Sequence, residues 1–291
     1  GYFVIRGKEK VFLSQETKVN NILYINEISD DNIILQGNIK TISNEGFQSS
    51  RTNNVTYRSV NLLQNGSLRK YLNGVYNIKD KKLNVFDVRI LGVTTEEGGK
   101  DLKIPLFILF RALGFITDKE ILNLIINNGD DENLKSKLFN LLIPSIKDSQ
   151  PIYNQKNAIK YISLHVKNKE IINVIDMLNN NFLPNYGNNY KFKAIYLGYV
   201  IRKMLLTHLN INKKTDRDSY SYKRIDLAGT LLLELYRELW GKFTKNIQRK
   251  LDDEFKFMLE GTGEEDITEI INHINKDTIF NSSVMDDILK S

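Results

Sequence analysis

The sequence predicts an α+β protein: a strand-rich N-terminal part, a mainly helical middle and one long helix toward the C-terminal end. Three observations carry this. Up to about Val93, apolar residues gather in short β-branched and aromatic runs parted by turn residues. Beyond Pro105 they recur at three- and four-residue spacing. From Lys223 to about Leu259 one helical pattern runs without a break.

In chain order, "YFVIR" and "KVFLSQ" flank "GKE", the spacing of a hairpin with glycine in its turn. "NILYINEI", "NIILQGNIKTI", "NVTYRSVNLL" and "KLNVFDVRILGV" read as further strands, with Asn65-Gly66 and Asn73-Gly74 as turns. "TTEEGGKD" (Thr94 to Asp101) reads as a polar loop leading straight into helices. Pro105 suits the first position of a short helix through "LFILFRAL", and Gly114 suits its C′ position. "TDKE" (Thr117 to Glu120) has capping-box spacing. Helices are also expected at Asn157 to Leu164, Lys169 to Leu178 and Phe192 to Leu209. In the long helix, Leu227, Leu231, Leu235 and Leu239 mark an expected buried stripe, and Arg237, Lys242, Lys245, Arg249 and Lys250 a basic remainder.

Composition excludes several classes. The 291 residues suit one large domain or two modest ones. No apolar run is long enough to span a membrane, and no signal peptide is seen. With no cysteine there is no disulfide and no thiolate metal site, which fits a reducing, intracellular compartment. The net charge of +6 is mild, so nucleic acid is one possible partner among several. Of the histidines, His165, His208 and His273, none has a second ligand at metal spacing. "EEGGKD" lacks the first glycine of a phosphate loop, and Asp101 stands where Ser or Thr would bind magnesium. The pairs Asp130-Asp131, Asp252-Asp253 and Asp286-Asp287 read as solvated surface. No catalytic constellation emerges. By composition alone the chain is a soluble α+β binding or scaffold segment.

Four collinear stretches add to that reading. "GYFVIRGKEKVFLSQE" (Gly1 to Glu16), "KIPLFILFRALGFITDKEIL" (Lys103 to Leu122), "FLPNYG" followed by "KAIYLGYVIRKMLL", and "DRDSYSYKRIDLAGTLL" (Asp216 to Leu232) resemble the second-largest subunit of multisubunit DNA-directed RNA polymerases. The form is the eukaryotic, archaeal and large-DNA-virus one; the Asn-, Ile- and Lys-rich composition and the divergent middle suggest a large DNA virus, with a lower eukaryote as the alternative. The resemblance implies an internal stretch of that subunit. Residues 1–18 would end a first protrusion segment, and 19–215 would be the inserted, mainly helical lobe. Residues 216–258 would return through the long helix to a partial protrusion, and 259–291 would open the fork region. It implies DNA, the largest polymerase subunit and the other subunits as partners, initiation factors on the outer lobe surface, and no membrane. The parent enzyme joins ribonucleoside triphosphates on a DNA template, with magnesium held elsewhere, so this span should hold no cofactor and no catalytic residue. Location would be the host cytoplasm, viral factory and virion for a virus, or the nucleus for a cell. The alternative is a standalone nucleic-acid-binding or scaffold protein. An independent hydrolase has no supporting constellation.

The same resemblance sets the candidate site. In bacterial relatives a D-x-D-x-x-x-x-R-R segment lies near single-stranded DNA at the downstream fork. It maps onto Asp216, Asp218, Lys223 and Arg224, with Arg217 between the acids. Lys223 stands where that pattern has its first arginine, and an ammonium lacks the planar fork that reads a base bidentately. Ser219 or Ser221 is spaced to cap a helix beginning near Lys223, which would place both cations at the positive end of its dipole. A phosphate, or a carboxylate of Asp216, Asp218 or Asp226, would offset them. Both a DNA contact and an internal salt-bridge lock satisfy that need. Tyr220 and Tyr222 are placed either to stack on bases or to pack at the junction. Arg6, Lys8 and Lys10 read as a solvated hairpin edge, and Arg111, inside "FILFRALGF", as half of a buried ion pair.

Overall fold

Alternation of buried and open positions builds the first layer. In β5 (Ile33–Thr41), Ile33, Leu35, Gly37, Ile39 and Thr41 point inward while the residues between them are more open. The computed structural model describes residues 2–28, 32–43, 50–61, 82–95, 98–99, 101–127, 129–150, 152–167 and 169–262. The chain divides into two compact units, Lys18–Tyr222 and the pair of segments Gly1–Thr17 and Lys223–Ser291. Mixed α and β structure is present, as the sequence predicts.

In the larger unit, β4 (Leu23–Asn26), β5, β6 (Arg51–Asn61), β7 (Lys82–Leu91) and β8 (Asp101–Pro105) form one antiparallel sheet in that order. β8 is a correction: the polar loop does not lead directly into a helix, because Leu102 and Ile104 are buried against β7. Pro105 therefore ends a strand and serves as N-cap, one position earlier than expected. Among the described residues, helices α1 (Leu106–Ala112), α2 (Asp118–Ile125), α3 (Glu132–Asp148), α4 (Gln155–Ser163), α5 (Ile171–Asn180) and α6 (Tyr190–His208) follow. Helix and sheet share one apolar core, in which Tyr57 stacks on Phe86 at 4.4 Å and His208 meets the Tyr57 ring edge-on at 5.0 Å.

Two local signals work as the sequence implies. Thr117 Oγ1 accepts the Glu120 amide at 3.3 Å, and Glu120 reaches back to the Thr117 amide at 3.4 Å. Gly114, at φ +101°, ends α1 and lets Phe115 donate back to the Phe110 carbonyl. α3 is not among the helices expected from the sequence, because Pro144 sits inside it and interrupts its reading as a helix. Ser145, next to it, accepts the Phe86 amide at 2.9 Å and so ties α3 to β7. Helices α2 and α6 approach so closely at Gly198 that an added Cβ would stand 2.8 Å from the Leu124 carbonyl oxygen.

The smaller unit begins with β1 (Phe3–Ile5) and β2 (Lys8–Lys10), paired with Phe3 opposite Lys10. Arg6 and Gly7 both have positive φ, the conformation of a two-residue primed turn. β3 (Gln15–Lys18) pairs with β9 (Lys223–Asp226), and α7 (Ala228–Thr262) follows. The expected helix start near Lys223 is thus corrected: those residues are strand, and the helix begins at Ala228. The leucine stripe is corrected too. Leu227 is 61% exposed and Leu235 48%, while Leu231 and Leu239 are half-buried. Val4 in β1 and Leu13 beyond β2 are exposed as well, so the described part of this unit encloses little apolar volume. The expected turns at Asn65-Gly66 and Asn73-Gly74 lie outside the described residues, as do His273, Asp286-Asp287 and nearly all of 259–291.

A polar cluster under β7 shapes the larger unit's pH response. Asp87 is buried and ion-paired with Arg58. Asp148, at the end of α3, has its carboxyl pushed up to about 6, first by burial, then by repulsion from Asp87, with Arg58 partly offsetting. A raised carboxyl destabilises the fold once ionised. That cost is absent below the unfolded value near 4, grows as pH rises from there to about 6, and is complete above it. Asp148→Asn is expected to stabilise the protein by up to about 2 kcal/mol at pH 7, allowing for solvent screening. The gain should vanish as pH falls from 6 to 4 in paired urea melts; a constant difference would contradict the placement of this carboxyl.

Candidate nucleic-acid interface

The segment from Asp216 to Asp226 is where cations suited to phosphate were expected, and the two units hold its parts separately. In the smaller unit, strand pairing of β9 with β3 sets Lys223 against Glu16 as an ion pair. Arg224 Nε lies 3.1 Å from Asp226 Oδ1 and donates to Thr17 Oγ1 at 3.2 Å. Thr17 in turn donates to Asp226 Oδ2 at 2.7 Å, and Asp226 is buried. One buried carboxylate therefore receives a guanidinium and a hydroxyl from two paired strands, a charge-assisted cross-strand clamp. Because Lys223 and Arg224 lie on a strand, no helix dipole opposes them and no further anion is needed to offset one.

In the larger unit, Asp216 Oδ1 accepts the Asp218 amide at 3.0 Å, an Asx turn. Arg217 is 56% exposed on its side chain and only loosely paired, 3.7 Å from Asp218. It lines an open groove of about 600 Å³ with Asn26, Gln36, Asn38, Lys214 and Thr215. Lys214 is paired with Glu27 at 2.6 Å in the same groove. Ser219 and Ser221 cap no helix: Tyr220–Tyr222 is a single 3₁₀ turn. The Tyr222 ring meets Tyr24 edge-on at 5.7 Å, and Tyr24 donates to the Val19 and Tyr222 carbonyls at 2.9 and 3.3 Å. Tyr220 is strongly exposed. Arg6, Lys8 and Lys10 are exposed along the hairpin.

Other charged groups are structural. Arg111 is fully buried, as one partner of the expected ion pair: its Nη2 lies 2.5 Å from Asp118 Oδ1. Asp130 differs from the expected solvated surface. It receives a bidentate Arg202 at 2.5 and 2.7 Å, which holds its carboxyl below the usual range. His208 is half-buried, and burial lowers its ring so that it stays neutral near pH 7. Lys193, which the pattern does not distinguish from its surface neighbours, is fully buried. Its Nζ donates to the carbonyls of Leu178, Asn179 and Phe182 at 2.5, 3.1 and 2.7 Å. Among the described residues no group of three or more His, Cys, Asp or Glu is placed to hold a metal. No helix among them is long and apolar enough to cross a membrane.

Comparison with known proteins agrees with the class that the four stretches suggested. Residues 97–226 match the family model described as RNA polymerase Rpb2, domain 2. The chain is similar along most of its length to curated second-largest subunits of cellular RNA polymerases. It is 31% identical to DNA-directed RNA polymerase II subunit 2 of Arabidopsis thaliana, covering 85% of this chain and 20% of that protein. It is 29% identical to subunit RPB2 of Encephalitozoon cuniculi over 88% of this chain and 21% of that one. The archaeal subunit Rpo2 of Saccharolobus solfataricus is 26% identical over 87% of the chain and 20% of its own length. The chain spans about a fifth of the length of the relatives it matches.

Proposed function

We propose that the chain is part of the second-largest subunit of a DNA-directed RNA polymerase, forms one wall of the DNA cleft and guides downstream DNA. The observation that carries this is the extent of similarity to RNA polymerase subunits of eukaryotes and archaea, 85% and 87% of the chain in two of them. On this reading residues 19–215 form the lobe, and 1–18 with 216–258 belong to the protrusion. Partners are DNA, the largest and other polymerase subunits, and initiation factors on an outer face. Magnesium and the reacting nucleotides are held by other parts of the enzyme. A viral source rests on composition and the divergent middle, and with it a site of action in the host cytoplasm or viral factory.

Among the candidate cations we assign the DNA contact first to Arg217, the most exposed and least tightly paired. Asp216 and Asp218 shape the turn that presents it. Lys223 and Arg224 act mainly as the strand lock, with their remaining exposure available to phosphate. Supplied with template, magnesium and labelled nucleoside triphosphates, the purified chain should incorporate no label, because no metal-binding carboxylate cluster stands among its described residues. Template-dependent incorporation would refute this part of the reading.

A further inference from the structure

Helix α6 buries one side in the core through Ala194, Leu197, Ile201, Met204 and Leu205. Its opposite side is apolar as well. Phe192 is 53% exposed, Ile195 41% and Tyr199 49%, at positions i, i+3 and i+7 of one helix face. Lys203 continues that face with its ammonium 5.6 Å above the Tyr199 ring, and Tyr196 supports it at 6.1 Å between ring centres. Lys191 stands exposed at its start. The line from Phe192 to Lys203 covers roughly 16 Å of helix, the length of a short docked segment.

Along the chain through this helix the charge has one sign. No Asp or Glu occurs between Asp176 and Asp216, while Lys191, Lys193, Arg202, Lys203, Lys213 and Lys214 fall in that interval. Arg202 is taken up by Asp130 and Lys193 by backbone carbonyls, which leaves Lys191 and Lys203 flanking the apolar residues. A soluble surface seldom lines up three large apolar side chains without a partner. Cations at both ends of the line select for negative charge on that partner.

We propose that this face of α6 docks an acidic, amphipathic segment of a partner protein, with apolar side chains on Phe192, Ile195 and Tyr199 and carboxylates toward Lys191 and Lys203. This gives a chemistry to the partner-binding face of the reading above and does not depend on the DNA contact. A nucleic-acid strand fits less well, because Ile195 in the middle of the line offers neither a ring to stack on a base nor a donor for phosphate.

The test uses the whole chain and fluorescence anisotropy. The probes are a helical peptide with leucines on one face and glutamates on the other, its lysine-substituted twin, and a single-stranded oligonucleotide. The acidic peptide should bind saturably and lose affinity with salt, and the lysine twin should not bind. Phe192→Glu and Tyr199→Glu should each weaken the acidic peptide about tenfold or more. Their thermal melts and DNA affinity should stay unchanged, since both side chains are exposed. Lys203→Glu should weaken the peptide and reduce its salt dependence. Absence of binding, equal binding of the lysine twin, or binding indifferent to Phe192→Glu would overturn the proposal. Loss of oligonucleotide binding in Phe192→Glu would overturn it in favour of a nucleic-acid face. Failure of DNA binding with peptide binding intact would instead count against the cleft-wall reading alone.

Discussion

Arg111→Met is expected to lower the stability of the larger unit by about 3–5 kcal/mol, because several acceptors of one buried guanidinium lose their donor at about 1–3 kcal/mol each. The guanidinium is fully buried and joins three segments at once. It reaches Asp118 in α2 at 2.5 Å, the Ser149 carbonyl and hydroxyl just beyond α3 at 3.2 Å each, and the Ile152 carbonyl. It also lies 5.2 Å from the centre of the Tyr153 ring. Methionine fills much of the volume but leaves these acceptors without a donor. Lysine should not rescue the loss, because a single ammonium cannot spread across acceptors arranged for a planar fork. A urea melt checks this; a loss below about 1 kcal/mol for Arg111→Met would show that the acceptors find other donors.

Lys193→Met should be the next most damaging substitution, at about 2–4 kcal/mol, because it strands buried carbonyls at the end of α5. Burial lowers the Lys193 ammonium to about 8. Its unfolded value is near 10.4, so the unfolded chain binds the extra proton between the two. Wild-type stability should therefore rise from this group as pH increases from about 8 to 10.4, since its charge-burial cost is complete below that window and relieved across it. Lys193→Met should lack that rise, so the gap between the two proteins widens with pH. Parallel slopes in melts across this window would contradict the assignment.

What the sequence made legible was local. The capping box needs only Thr117 and Glu120, three apart, and the α1 terminus only Gly114; both signals lie within one turn of the structure they set. The first hairpin is read from Gly7 between two short apolar runs, but its turn falls at Arg6-Gly7 and Lys8–Lys10 is strand, not the "GKE" turn expected. Strand β9 was not legible, since Lys-Arg-Ile-Asp continues the helical pattern behind it. Its partner is remote: the Thr17 to Asp226 hydrogen bond spans 209 positions. Pro144 concealed α3, and a five-residue alternation beside a glycine loop was too short to reveal β8. Asp130 read as surface and Lys193 drew no reading, because their partners, Arg202 and backbone carbonyls, leave no mark at sequence spacing. The candidate site was half legible. Motif resemblance selected Asp216 to Arg224, but only strand pairing showed that Lys223 and Arg224 are engaged with Glu16, Thr17 and Asp226.

The central claim, that this chain faces DNA without reading or processing it, is tested most directly by duplex DNA binding across a salt series. The proteins are wild type, Arg217→Ala and Lys223→Ala/Arg224→Ala, each with its melting temperature recorded alongside. Wild type should bind random duplexes alike, with a dissociation constant of roughly 10⁻⁵ M or weaker at physiological salt. Arg217→Ala should flatten the salt slope with no change in melting. The double variant should melt lower and flatten the slope less than Arg217→Ala does. Sequence-selective binding, no binding at low salt, or a slope that Arg217→Ala leaves unchanged would contradict the account.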